Sequence, residues 1–170
     1  YGRPHCLMLS NTTDIEVDHV VVKNSPDWTL HFSSCTNVHV HDVKVLNPLE
    51  PNADGIDIDS SQNVLVENNY FSVGDDALCV KSGIDYFGRL YGRPAKDIVF
   101  RNNVIGTGHG ITIGSEMSGG VQNVTFEASV GLYPLSHTLT HAHTLCLCIC
   151  LCLSLSLSLS LSLSVSVSLS

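Results

Sequence analysis

Five short stretches of the chain place an apolar side chain at every second position: Ile15 and Val17, Val38 and Val40, Val64 and Val66, Ile98 and Phe100, Val124 and Phe126. Each pair follows an Asn or Asp, at Asp14, Asn37, Asn63, Asp97 and Asn123. A period of two rich in β-branched residues marks a strand, and a helical period fits none of the five. Their first apolar residues recur at steps of 23, 26, 34 and 26 residues. Short strands repeated at this spacing, with no helix between them, predict an all-β fold, a parallel β-solenoid in which each coil pairs with its neighbours. An antiparallel sandwich would explain the strands but not the recurring register. The long step predicts one extra loop, around Ile84 to Pro94.

The pattern fades near residue 130, dividing the chain into a solenoid at 1–130 and a low-complexity segment at 131–170. From His137 the sequence alternates first His with Thr and later Leu with Cys or Ser. CA and TC dinucleotide repeats encode His-Thr and Ser-Leu, so the segment reads as a translated microsatellite. Alternating Leu and Ser also forms an amphipathic strand with no charge or Pro to restrain edge pairing. Serine at every second position dilutes the apolar run below the signal of a membrane span. The chain opens on Tyr1 without a basic-then-apolar leader and reads as a fragment.

All 8 Lys and Arg and all 16 Asp and Glu lie at or before Glu127, so the net charge of −8 belongs to the solenoid. An acidic balance argues against nucleic-acid binding. It also supplies no long-range attraction for an anionic substrate, which would need local basic residues. Of seven cysteines, Cys6, Cys35 and Cys79 are scattered in the solenoid and read as buried thiols. The other four, Cys146 to Cys152, alternate in the tail, and neither set has disulfide or zinc-site spacing. His19, His39 and His41 lie in alternating strands with no carboxylate or Cys at ligand spacing, so no metal site and no cofactor are expected.

The candidate chemistry lies in VGDDALCVKSG, residues 73–83, where Asp75 and Asp76 are adjacent. Neighbouring carboxylates repel, and partial burial adds to the rise of at least one pKa. Asp54 precedes Asp75 by 21 residues, nearly one coil, so stacking puts Asp54 beside the pair. A further coil on, His109 sits between Gly108 and Gly110. Clustered carboxylates suit glycosidic-bond hydrolysis, in which one carboxylic acid protonates the leaving oxygen and another carboxylate activates water or attacks directly. Calcium coordination is the rival use of the same oxygens.

Three ordered motifs on this repeat, NADGID at 52–57, GDD at 74–76 and GHG at 108–110, closely resemble those of the polygalacturonases, pectin-degrading glycoside hydrolases of family 28. GSEMSGG at 114–120 and NSPDWT at 24–29 extend the resemblance over roughly Arg3 to Glu127. It implies a right-handed parallel β-helix in a monomeric secreted or cell-wall enzyme that hydrolyses polygalacturonan at α-1,4 bonds with inversion. Asp75 would be the general acid, Asp54 and Asp76 would hold the attacking water, and His109 would orient the acid or the sugar. Ala53 replaces the Thr usual in the family. The family's later Arg-x-Lys motif and Tyr bind the sugar carboxylates, but no Arg or Lys follows Arg101 here, and Tyr133 falls too early to replace that Tyr. A weak or inactive form is therefore expected. A non-catalytic carbohydrate-binding or structural solenoid and a calcium-dependent lyase are the alternatives.

Other residues are expected to play plainer parts. Asp57 and Asp59 alternate with Ile56 and Ile58 and read as a solvated strand face. Asn68, Asn69, Asn102 and Asn103 read as corner or ladder hydrogen-bonders, and Trp28 as packing. Lys81 is the candidate substrate-binding cation, although its place after an apolar strand also suits a turn.

Overall fold

A computed structural model describes residues 2–127, 129–131, 147–149 and 163–167. Its strands form three parallel sheets that wind about a common core. The first sheet stacks β1 (Leu7–Ser10), β4 (Leu30–Ser33), β7 (Ile56–Asp59), β10 (Leu78–Lys81) and β13 (Ile111–Ile113). The second stacks β2 (Thr13–Asp18), β5 (Thr36–His41), β8 (Gln62–Glu67), β11 (Ala95–Arg101) and β14 (Val121–Glu127). The third stacks β3 (Val21–Lys23), β6 (Lys44–Asn47), β9 (Tyr70–Val73), β12 (Val104–Thr107) and β15 (Val130–Gly131). Each coil therefore contributes one strand to each sheet, which is the predicted parallel solenoid. Two further strands, β16 (Leu147–Ile149) and β17 (Leu163–Val167), pair antiparallel with β13 and β14. Tyr133 and the rest of the low-complexity segment lie outside the described residues.

The five repeated motifs are the strands of the second sheet, and their register stacks Ile15, Val38, Val64, Ile98 and Val124 in one column. These side chains point inward with Phe32, Phe71 and Phe100 and form the core. The leading Asn or Asp has its own reason. Asp14, Asn37, Asn63, Asp97 and Asn123 all have φ between 51° and 57°, a region that Asn and Asp tolerate better than β-branched residues. Their side chains also ladder between coils: Asn37 donates to Asp14 at 2.8 Å, Asn63 to Asn37 at 2.6 Å and Asn123 to Asp97 at 2.7 Å.

A second ladder lies inside the coil corners. The Asn69 side chain accepts from the Val43 N–H at 2.8 Å and donates to Val40 O at 3.1 Å and to Asn103 Oδ1 at 3.0 Å. Asn103 in turn donates to Val66 O at 2.9 Å. Both side chains are buried, so they replace water for backbone groups at the bends. Asn69→Ala is expected to cost about 2–3 kcal/mol, because buried donors and acceptors lose their partners. Urea unfolding followed by circular dichroism checks this, and a loss below about 0.5 kcal/mol would show that water replaces the amide.

The loop expected at Ile84–Pro94 contains a helix, α1 (Asp85–Tyr91), which the alternation pattern did not predict. Gly92 ends it in the left-handed region at φ 58° and donates to Gly88 O. Its apolar residues face outward, with Phe87 76% exposed, so no core-facing stripe marked it in the sequence. Among the described residues, no helix is long and apolar enough to cross a membrane. Cys35 and Cys79 are buried as expected, but Cys6, in the first coil, is exposed.

Candidate active site

The first-sheet register aligns Leu7, Leu30, Ile56, Leu78 and Ile111. Two residues before each lie His5, Trp28, Asp54, Asp76 and His109, one on each coil. Backbone hydrogen bonds link this row, with Thr29 N donating to Asp54 O at 2.9 Å and Gly55 N to Asp76 O at 2.8 Å. Asp54 therefore aligns with Asp76, and Asp75 sits one residue beyond the row. Two glycines permit the close approach. A Cβ on Gly55 would collide with Ala77 O and the Phe71 ring, and Gly108 has φ 126° with Asp75 O only 2.7 Å from where its Cβ would stand.

The structure brings Asp54, Asp75, Asp76 and His109 together. His109 Nδ1 lies 3.1 Å from Asp75 Oδ1 and 3.7 Å from Asp76 Oδ1, and the His109 backbone N–H donates to Asp75 O at 2.8 Å. The Asp76 N–H donates to Asp75 Oδ1 at 2.9 Å, which fixes the acidic pair in one arrangement. The His109 ring is 61% exposed and forms the outer rim. Burial raises the Asp54 pKa to about 7, and the charges of Asp75 and Asp76 add to the rise. Asp76 is also raised, first by burial and then by Asp75, while Thr112, Lys81 and His109 oppose the shift.

Beneath these groups lies a buried polar floor. Asp57, read from the sequence as part of a solvated strand face, is 0% exposed. That reading fails because β7 is covered on both faces: Ile56 and Ile58 enter the core, and Asp57 is roofed by the site. Ligating atoms of Asp57, Asp54 and Cys79 lie within 4.8 Å of one another. Neither Asp57 oxygen has a donor among the described residues, so an ionised Asp57 would be poorly compensated. Burial raises its pKa well above the ordinary range, Asp54 adds to the rise, and a proton shared between the two carboxyls is the natural compensation.

Lys81 supplies the positive charge of this floor. It is 6% exposed, with its Nζ 2.9 Å from Glu116 Oε2, 4.0 Å from Asp57 Oδ1 and 4.8 Å from the centre of the Trp28 ring. Burial works against its charge, but the neighbouring acidic groups hold its pKa above the ordinary value. Its ammonium thus lies inside the site rather than on a turn at the surface. Trp28, His5 and His31 form a triangle of rings whose centres lie 4.9 Å from one another.

A sequence model of the glycosyl hydrolases family 28 matches residues 2–130. The chain belongs to this family. Family 28 relatives include a probable polygalacturonase from Vitis vinifera, 38% identical over 135 residues, which cover 78% of this chain and 28% of that protein. An endo-polygalacturonase from Pectobacterium carotovorum subsp. carotovorum is 32% identical over 125 residues, covering 73% of this chain and 29% of that one. The crystal structure of a hyperthermoactive exopolygalacturonase from Thermotoga maritima matches with a TM-score of 0.74 at 37% identity, over 75% of this chain and 29% of that chain. The chain thus spans under a third of the length of these family 28 proteins.

Sequence reasoning missed His5, His31 and Thr112 around this site, and it quoted Glu116 only within the GSEMSGG stretch, without a role. His5 could have been found by counting two residues back from β1, as Asp54 stands two before Ile56. The pairing of Glu116 with Lys81 could not, because a loop after β13 returns it across one coil.

Proposed function

We propose that the chain carries the catalytic coils of a hydrolase that cleaves α-1,4-galacturonosyl bonds in polygalacturonan with inversion of configuration. One observation supports this above all: Asp54 and Asp76 stand on adjacent coils of one row, with Asp75 beside them and bound to His109. Asp75, on the partly exposed side, donates its proton to the leaving glycosidic oxygen. Asp54 and Asp76 hold a water, and the ionised member takes one of its protons as its oxygen bonds to the anomeric carbon. The C–O bond to the leaving sugar breaks in the same displacement. Asp54 titrates near 7 and Asp76 is raised as well, and whichever member of the pair is ionised serves as the single base that inversion needs.

His109 orients Asp75 through Nδ1. Lys81 supplies the positive charge that a galacturonate carboxylate meets at the floor, although Glu116 already claims much of it. Among the described residues no other Lys or Arg forms an ion pair with the acidic cluster, so turnover by this chain is expected to be slow. The enzyme acts as a monomer on pectin outside the cell or in the cell wall.

The test uses polygalacturonate, long incubation and proton NMR. The expected result is new reducing ends released first as the β anomer, with no unsaturated uronate. An unsaturated product would establish elimination instead, and binding without product would favour a non-catalytic carbohydrate-binding solenoid.

A further inference from the structure

The outer face of the second sheet, away from the acidic row, carries an unused group of ligands. His39 and His41 lie two residues apart on β5 and therefore on one side of the strand. The parallel register sets Glu16 of β2 beside His39 and Asp18 beside His41. Glu16 Oε1 is 3.3 Å from His41 Nε2. One ligating atom from each of Glu16, His39 and His41 lies within 4.8 Å of the other two, and Asp18 and His19 form a second such group that shares His41. The sequence hid this because Glu16 is more than 20 residues from His39, whereas stacking makes them neighbours.

We propose that Glu16, His39 and His41 bind a divalent transition cation of the zinc type. Nitrogen and carboxylate ligands about 2.0–2.2 Å from one tetrahedral ion stand roughly 3.4 Å apart, and the Glu16–His41 separation of 3.3 Å fits that edge. Both imidazoles are already oriented by carboxylates, as ligating histidines are. His41 Nδ1 is 2.8 Å from Asp42 Oδ2, which leaves Nε2 turned toward Glu16. His39 Nε2 is 3.0 Å from Glu67 Oε1, and Glu67 is itself held by Arg101 at 2.7 Å. The site is reachable: the Glu16 side chain is 68% exposed, and Glu16 and His39 line a shallow groove on this face. Water can fill the fourth position. Imidazole with a single carboxylate selects zinc-type ions over calcium or magnesium, which take mainly oxygen.

The rival occupant is a proton, which Asp42 and Glu16 hold on His41. Titrating the metal-stripped full chain with Zn²⁺ at pH 7.5 in a non-chelating buffer separates the two. One equivalent is expected to be lost in the His39→Gln/His41→Gln variant while the far-ultraviolet spectrum is unchanged. Glu16→Gln, at an exposed position that leaves the fold intact, should weaken that equivalent at least tenfold. His109→Gln should leave it in place, which excludes the Asp75, Asp76 and His109 group. Co²⁺ substitution distinguishes the site from the tail cysteines, since thiolates add an intense near-ultraviolet charge-transfer band that nitrogen and oxygen ligands lack. An unsubstituted chain that binds no Zn²⁺, or a titration unaltered by both Glu16→Gln and the double variant, overturns the proposal.

Discussion

Asp75→Asn is expected to lower polygalacturonate hydrolysis by roughly 10²–10⁴-fold, the usual range for losing a positioned proton donor. The substitution removes the transferable proton but little else. Asp75 Oδ1 accepts from the Asp76 N–H at 2.9 Å and faces His109 Nδ1 at 3.1 Å, and an Asn carbonyl oxygen can accept in the same places. The melting temperature should therefore stay within a few degrees of the unsubstituted chain. Reducing-end release at micromolar enzyme, measured beside the thermal melt, separates lost chemistry from lost fold. A rate within about tenfold, or about 1.4 kcal/mol of barrier, would remove Asp75 from the acid role.

The solenoid is expected to lose stability as the pH rises from 5 to 8, because its buried carboxyls favour the protonated form. Asp54 has a folded pKa of about 7 against an ordinary value of 3.8, so between these values the folded state binds the extra proton. Its contribution is complete below pH 3.8 and is lost as the pH passes through about 7. Asp57 and Asp76 are raised too and act in the same direction. Asp59 and Glu116 are lowered, so their contributions disappear only in more acid solution. His5, lowered mainly by burial, works weakly against the trend.

About two of the three units by which Asp54 is raised lie above pH 5, which bounds its contribution across pH 5–8 at about 2.7 kcal/mol, and sharing a proton with Asp57 reduces it to about 1–3 kcal/mol. The melting temperature should fall by roughly 3–10 °C between pH 5 and pH 8. Asp54→Asn should flatten that slope. Lys81→Met should cost about 3–5 kcal/mol, because Asp57 and Glu116 lose the buried cation that faces them. Melts of the three chains across this range decide the matter. A temperature that climbs from pH 5 to pH 8, or an Asp54→Asn chain with the original slope, would show that these carboxyls ionise at ordinary values.

The apolar period of two and its spacing determined the solenoid, because inward side chains of successive coils must meet in columns such as Ile15, Val38, Val64, Ile98 and Val124. The coil length likewise put Asp54 next to the Asp75 and Asp76 pair, since residues one coil apart can stand only a strand spacing apart. Motif spacing brought His109 to the same row. The corner asparagines were legible for a local reason: Asn and Asp tolerate positive φ and bond backbone at bends.

What the chain order could not show was which outward positions are covered. Asp57 alternates with Ile56 and Ile58 as a solvated residue would, yet the Asp54 coil corner and Lys81 close over it. Lys81 is a buried cation held by Asp57 and by Glu116, which a loop carries back to it, and α1 formed where no core-facing stripe announced a helix. The same limit hid Glu16 from His39 and His41. Periodicity reports the side of a strand on which a residue lies, and stacking reports its neighbours along the column. Burial of that outer side and the charges that meet there depend on loops that cross between coils, and these exist only in the folded chain.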